Sequence, residues 1–129
     1  MMSSELSILA LFGLLVVITI LLQVILAVPQ VGLPYLSSAR DDARPLTGMA
    51  GRAVRTVENS VVAMALFAPA VLLLHATGGF TSTTLLAAQV FLLARIAFVA
   101  VYLLGVPYLR TAVWMPGFLA TAFLYLQSL

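Results

Sequence analysis

At 129 residues, 64% hydrophobic and 8% charged, the chain has too little polar surface to stay dispersed in water. The composition excludes a soluble domain and indicates one integral membrane domain covering residues 1–129. The net charge of +2 comes from six arginines and no lysine, too small an excess to point to nucleic acid. Absence of cysteine excludes disulfides, thiolate metal sites and a protein-borne thiol nucleophile. His75 is the sole histidine, so no metal site is expected.

A helix of about 20 apolar residues crosses the hydrocarbon core. The first such run covers residues 6–28. It has no basic n-region and no small-residue cleavage site, so it reads as an uncleaved first span. Pro29 and Pro34 bracket its exit, and "SSARDDARPLTGMAG" forms the longest loop. A second span starts at Gly51 or Arg52 and runs to Ala76, where His75 marks a solvated terminus. "TGGFTST" then breaks the chain, with Gly78-Gly79 as a turn and not a phosphate loop. The third span covers residues 82–104 and ends at "GVPY"; the fourth covers residues 109–127, with Pro116 placed to kink it. The runs are continuous, not alternating, which argues against barrel strands. Short connections then predict an all-α, four-transmembrane-helix, up-and-down bundle in contact with membrane lipids.

The arginines orient this bundle. Arg40, Arg44, Arg52 and Arg55 lie in or beside the first loop and Arg110 beside the third, while the termini and second loop hold none. The positive-inside rule puts both termini on the non-cytoplasmic side.

Helical geometry groups the remaining polar residues. At 100° per residue, Arg52, Arg55 and Asn59 fall within about 60° of one another, with Glu58 on the flank. Arg95, Phe98 and Tyr102 share a face of the third span in the same way, and Arg110 and Trp114 open the fourth at the same end. An arginine at bilayer depth costs about 2.5–3.5 kcal/mol, so Arg95 is expected to point inward toward a carboxylate. Glu58, the one acid assigned to the embedded part, is its leading partner. One glutamate cannot neutralise Arg52, Arg55, Arg95 and Arg110 together, and the surplus asks for an external anion. Each residue also has a plainer reading. Arg52, Arg55 and Arg110 serve equally as interfacial anchors, Tyr102 and Trp114 as aromatic-belt residues, and Glu58 as an i,i+3 partner of Arg55.

"GRAVRTVEN" followed by "LFAPAVLL" resembles the second-helix signature of the MAPEG superfamily, membrane-associated proteins of eicosanoid and glutathione metabolism. "ARIAFVAVYLLGVPYLRTAVW" is similar to that family's later signature, and "VGLPYLSSAR" with the short last span suits its small bacterial branch. The resemblance covers nearly the whole chain. It implies a homotrimer of four-helix protomers, a bacterial inner-membrane location, and glutathione as cosubstrate bound between subunits near the cytoplasmic side. By position it implies glutathione contacts at Arg52, Arg55, Asn59, Arg95, Phe98 and Tyr102. It implies a catalytic role for Arg110, whose guanidinium would stabilise the glutathione thiolate.

The chain departs from the pattern at four places, one of them Glu58, which occupies a site that is basic in some eukaryotic members. The family glutamate three residues after Asn59 is Val62, which removes a partner for the glutathione ammonium or for a neighbouring arginine. Thr56 replaces a common alanine, and Phe98 a residue that hydrogen-bonds in some members. The expected function is a glutathione-dependent enzyme, of transferase or peroxidase type, acting on a lipophilic electrophile. The alternative is a non-catalytic trimeric membrane protein that binds an anionic lipid or other anion.

Overall fold

The computed structural model describes residues 2–129 and is all-helical: α1 (Glu5–Val31), α2 (Leu33–Leu36), α3 (Gly48–Thr77), α4 (Ser82–Leu104) and α5 (Leu109–Gln127). The four long helices are each apolar and long enough to cross a membrane, which makes this an integral membrane protein. α3 and α4 form the centre. α1 packs on both, and so does α5.

Two boundaries differ from expectation. α1 continues through Pro29 to Val31: the proline removes one backbone donor near the helix end, and the Gly32 N–H still closes the helix on the Val28 carbonyl. α3 begins at Gly48, three residues before Gly51, since Gly48, Met49 and Ala50 extend the helix into the loop. The loop itself contains the one-turn helix α2.

The core is aromatic. Phe12 of α1, Phe67 of α3 and Phe91 of α4 are fully or almost fully buried. The Phe67 and Phe91 rings stack at 3.8 Å, and Phe12 meets Phe91 edge-on at 4.9 Å. Between lipid-solvated helices, packing and hydrogen bonds replace the hydrophobic effect as the source of association. Two side-chain bonds tie elements together here. Pro69 leaves the Ala65 carbonyl of α3 without its helical donor, and at the adjacent carbonyl, Leu66, the Tyr125 hydroxyl of α5 donates at 2.6 Å. At the end holding the N-terminus, the Thr84 hydroxyl donates to the Glu5 carboxylate at 2.7 Å.

Glu5 corrects the expectation that Glu58 is the one embedded acid. Glu5 is 4% exposed, whereas Glu58 is exposed. Its carboxylate sits in the first turn of α1 and against the first turn of α4. Both helices start at this end, so both N-terminal dipoles favour the negative charge. Outward-facing Val17, Leu21 and Ile25 of α1, with Leu86 and Leu93 of α4, leave broad apolar surface for lipid contact.

Candidate functional site

The site is at the opposite end, where α3 begins, α4 stops and α5 starts. α4 ends in a left-handed C-cap at Gly105, φ +73°. The absent Cβ matters twice there. That φ suits glycine, and a Cβ would lie 3.1 Å from Cζ of Arg52. Arg52 thus crosses the cap and donates from Nε to the Leu103 carbonyl at 3.0 Å. Leu103 is among the last four residues of α4, whose carbonyls lack helical donors, and a cation there also meets the negative end of the dipole. One residue type, glycine, lets one guanidinium join two helices.

Arg55, one turn along α3, donates from Nε to the Tyr102 hydroxyl at 3.1 Å. Arg110 of α5 approaches the same tyrosine from its ring, with Cζ 5.4 Å from the centroid. Arg52, Arg55, Tyr102 and Arg110 then wall a recess of about 180 Å³, floored by Gly105, Val106 and Pro107. A second recess, also of about 180 Å³, shares Tyr102 and Arg110 and continues past Asn59, Phe98 and Trp114. Three guanidiniums border this cleft, and among the described residues none has a carboxylate within ion-pair distance. Among the described residues the one ion pair is Arg44 with Asp42, 2.8 Å apart in the loop. There the Arg44 hydrogen bond holds the Asp42 carboxyl below the ordinary carboxylate range.

Glu58 is not the partner of Arg95. It borders an exposed groove with Leu46, Gly51, Val54 and Arg55, and the i,i+3 pair with Arg55 is not formed. Arg95 instead lies two turns below Tyr102, 2% exposed, with Nη2 donating to the Ser60 hydroxyl at 3.3 Å. Its Cζ stands 4.4 Å from the Phe98 centroid, and Phe98 leans on Tyr102 at 5.4 Å. The residues expected to act together thus fall into two layers. Arg52, Arg55, Tyr102 and Arg110 meet in the cleft, Phe98 and Asn59 form the partition, and Arg95 occupies the layer beneath. Thr56 is fully buried, and its hydroxyl bonds back to the Arg52 carbonyl at 2.7 Å, so this departure from the family pattern is satisfied within α3.

A membrane-spanning helical bundle with an arginine-lined, acid-free cleft at one end is the class that fold and site define. The chain belongs to the MAPEG family, whose family model matches residues 6–129. No curated protein and no solved structure matches it.

Proposed function

We propose that the protein is a glutathione-dependent membrane enzyme, of transferase or peroxidase type, working on a lipophilic electrophile that reaches the cleft from the bilayer. One observation carries this reading: Arg52, Arg55 and Arg110 converge without a carboxylate to neutralise them. A dicarboxylate ligand of glutathione's kind supplies the missing charge, and bidentate guanidinium contacts supply its orientation. MAPEG membership points to glutathione or eicosanoid metabolism, and glutathione combines two carboxylates with a thiol.

In this reading Arg55 and Tyr102 hold the peptide, and Asn59 adds a carboxamide at the inner edge. Arg52 acts mainly as the brace of the cleft wall, since its Nε is engaged by Leu103. Arg110 faces the thiol and favours its thiolate form. The sulfur lone pair attacks the electrophilic carbon, the C–S bond forms, and the leaving group departs with its bonding pair while the thiol proton passes to water. Each recess is smaller than the ~300 Å³ at which ligand pockets commonly begin. A neighbouring protomer completing the cleft, in a homotrimer with both termini on the non-cytoplasmic side of a bacterial inner membrane, fits that shortfall.

The test is turnover of a generic aryl halide or lipid hydroperoxide by purified protein with and without glutathione. Turnover should require glutathione. Arg110→Ala should lower kcat by roughly 100-fold, the order carried by one preorganised donor to a developing anion. Unchanged kcat in Arg110→Ala contradicts the role assigned to this residue.

A further inference from the structure

Two backbone features bracket the first two turns of α5. Before them the chain leaves α4 through a closed cap: the Gly105 N–H donates to the Tyr102 carbonyl at 3.0 Å, and the Val106 N–H to the Val101 carbonyl at 3.3 Å. Only Pro107 and Tyr108 separate that cap from α5. Tyr108 takes φ +67° and ψ −40°, and the Leu109 N–H closes on the Pro107 carbonyl at 2.8 Å. This is a γ-turn of the rare, strained hand. Every other positive φ at a described helix end belongs to glycine: Gly32, Gly48, Gly78 and Gly105. Arg40, the other exception, lies in the loop and is tied down by its guanidinium, which donates to the Leu36 carbonyl at 2.6 and 3.0 Å. The Tyr108 side chain makes no capping bond.

The second feature is Pro116, which leaves the Ala112 carbonyl without its helical donor at a place where helices commonly bend. Beyond it α5 is fixed. Gly117 approaches α4 so closely that a Cβ would lie 3.6 Å from Ala94 Cβ and Arg95 Cδ. Ala120, Thr121 and Leu124 are buried, and Tyr125 is bonded to α3. Residues 109–115 lie between the strained turn and the proline. They carry Arg110, which meets α4 through the ring of Tyr102.

Glycine at position 108 would hold this arrangement without strain, whereas tyrosine makes it one that another contact has to hold. We propose that residues 109–115 form a hinged arm, strained at Tyr108 while Arg110 stands over the cleft, which an anion in the cleft holds inward and whose departure releases it. When Tyr108 relaxes to negative φ, the arm turns about Pro116 and Arg110 leaves the Tyr102 ring. An anion bridging Arg55 and Arg110 draws it back, because only the inward arrangement offers both guanidiniums. Tyr108 thus regulates the anion site proposed above, on which the arm's role rests. Apparent affinity falls by the fraction of molecules with the arm inward, and release is eased to match.

Amide hydrogen exchange reads the arm, and emission of Trp114, the chain's single tryptophan, reads binding. Both are measured on the assembled protein in phosphatidylcholine nanodiscs, with inorganic sulfate and then glutathione as titrants. Wild-type amides at 109–115 should exchange faster than those at 117–127, and slow as sulfate saturates. Tyr108→Gly should slow them with no anion present and tighten sulfate binding about tenfold, the order that strain at one such residue is worth. Tyr108→Val should weaken binding, since a β-branched side chain tolerates positive φ still less. In an Arg110→Ala background Tyr108→Gly should give no gain, because the hinge acts through that guanidinium. Unchanged exchange in Tyr108→Gly, exchange that neither anion slows, equal affinity in the glycine and valine variants, or a gain that survives Arg110→Ala each overturns the proposal. Slowed exchange in Tyr108→Gly, with sulfate binding but no glutathione binding, keeps the hinge and removes the enzyme reading alone.

Discussion

Gly105 shows how much can depend on one missing Cβ. Arg52 reaches the Leu103 carbonyl by crossing the space a side chain would occupy, and the φ of +73° favours glycine. Gly105→Ala should lose roughly 1–2 kcal/mol from backbone strain, and more if Arg52 is displaced from its carbonyl. Thermal unfolding in detergent measures the first effect. Anion affinity of the cleft measures the second. Arg95 marks the limit of what residue spacing tells. Its position on one face with Phe98 and Tyr102 was readable from periods of three and four. Its actual acceptor was not, because Ser60 lies on a different helix and the rotation of α3 against α4 decides whether Ser60 or Glu58 faces it.

Among elements, polar contacts inside the bundle carry the tests. Tyr125→Phe deletes the bond to the Leu66 carbonyl beside Pro69 and should lower stability by about 0.6–2 kcal/mol, the range for interhelical hydrogen bonds in membranes. Glu5→Gln should weaken the contact between α1 and α4 by removing the charge that both N-terminal dipoles favour, read as a lower unfolding midpoint without loss of helicity. Helix number and approximate ends were legible because apolar runs and Gly–Pro interruptions are local signals. Glu5 was overlooked since it precedes the apolar run and its burial arises only when Thr84 of α4 folds against it. The Phe12–Phe67–Phe91 cluster was invisible for a similar reason: phenylalanine is unremarkable in an apolar span until three helices bring the rings together.

For the molecule as a whole, charge is distributed by end. Arginines collect where α3 starts and α5 starts, while Glu5 is held at the other end, and the cleft inherits positive charge without an internal counterion. Sequence stripes located Arg52, Arg55 and Arg110 at one end with Arg95 deeper on the third span, but only packing shows that Arg95 meets Ser60 beneath the cleft. The most direct measurement is calorimetric titration of glutathione into the purified protein at low and high salt, with phosphatidylglycerol as a parallel titrant. Saturable glutathione binding is expected, weakened by salt because the cleft is open to solvent, and lost in the Arg55→Ala/Arg110→Ala variant. No heat at millimolar glutathione, alongside saturable binding of phosphatidylglycerol to the same arginines, would contradict the account and make the cleft a lipid-headgroup site.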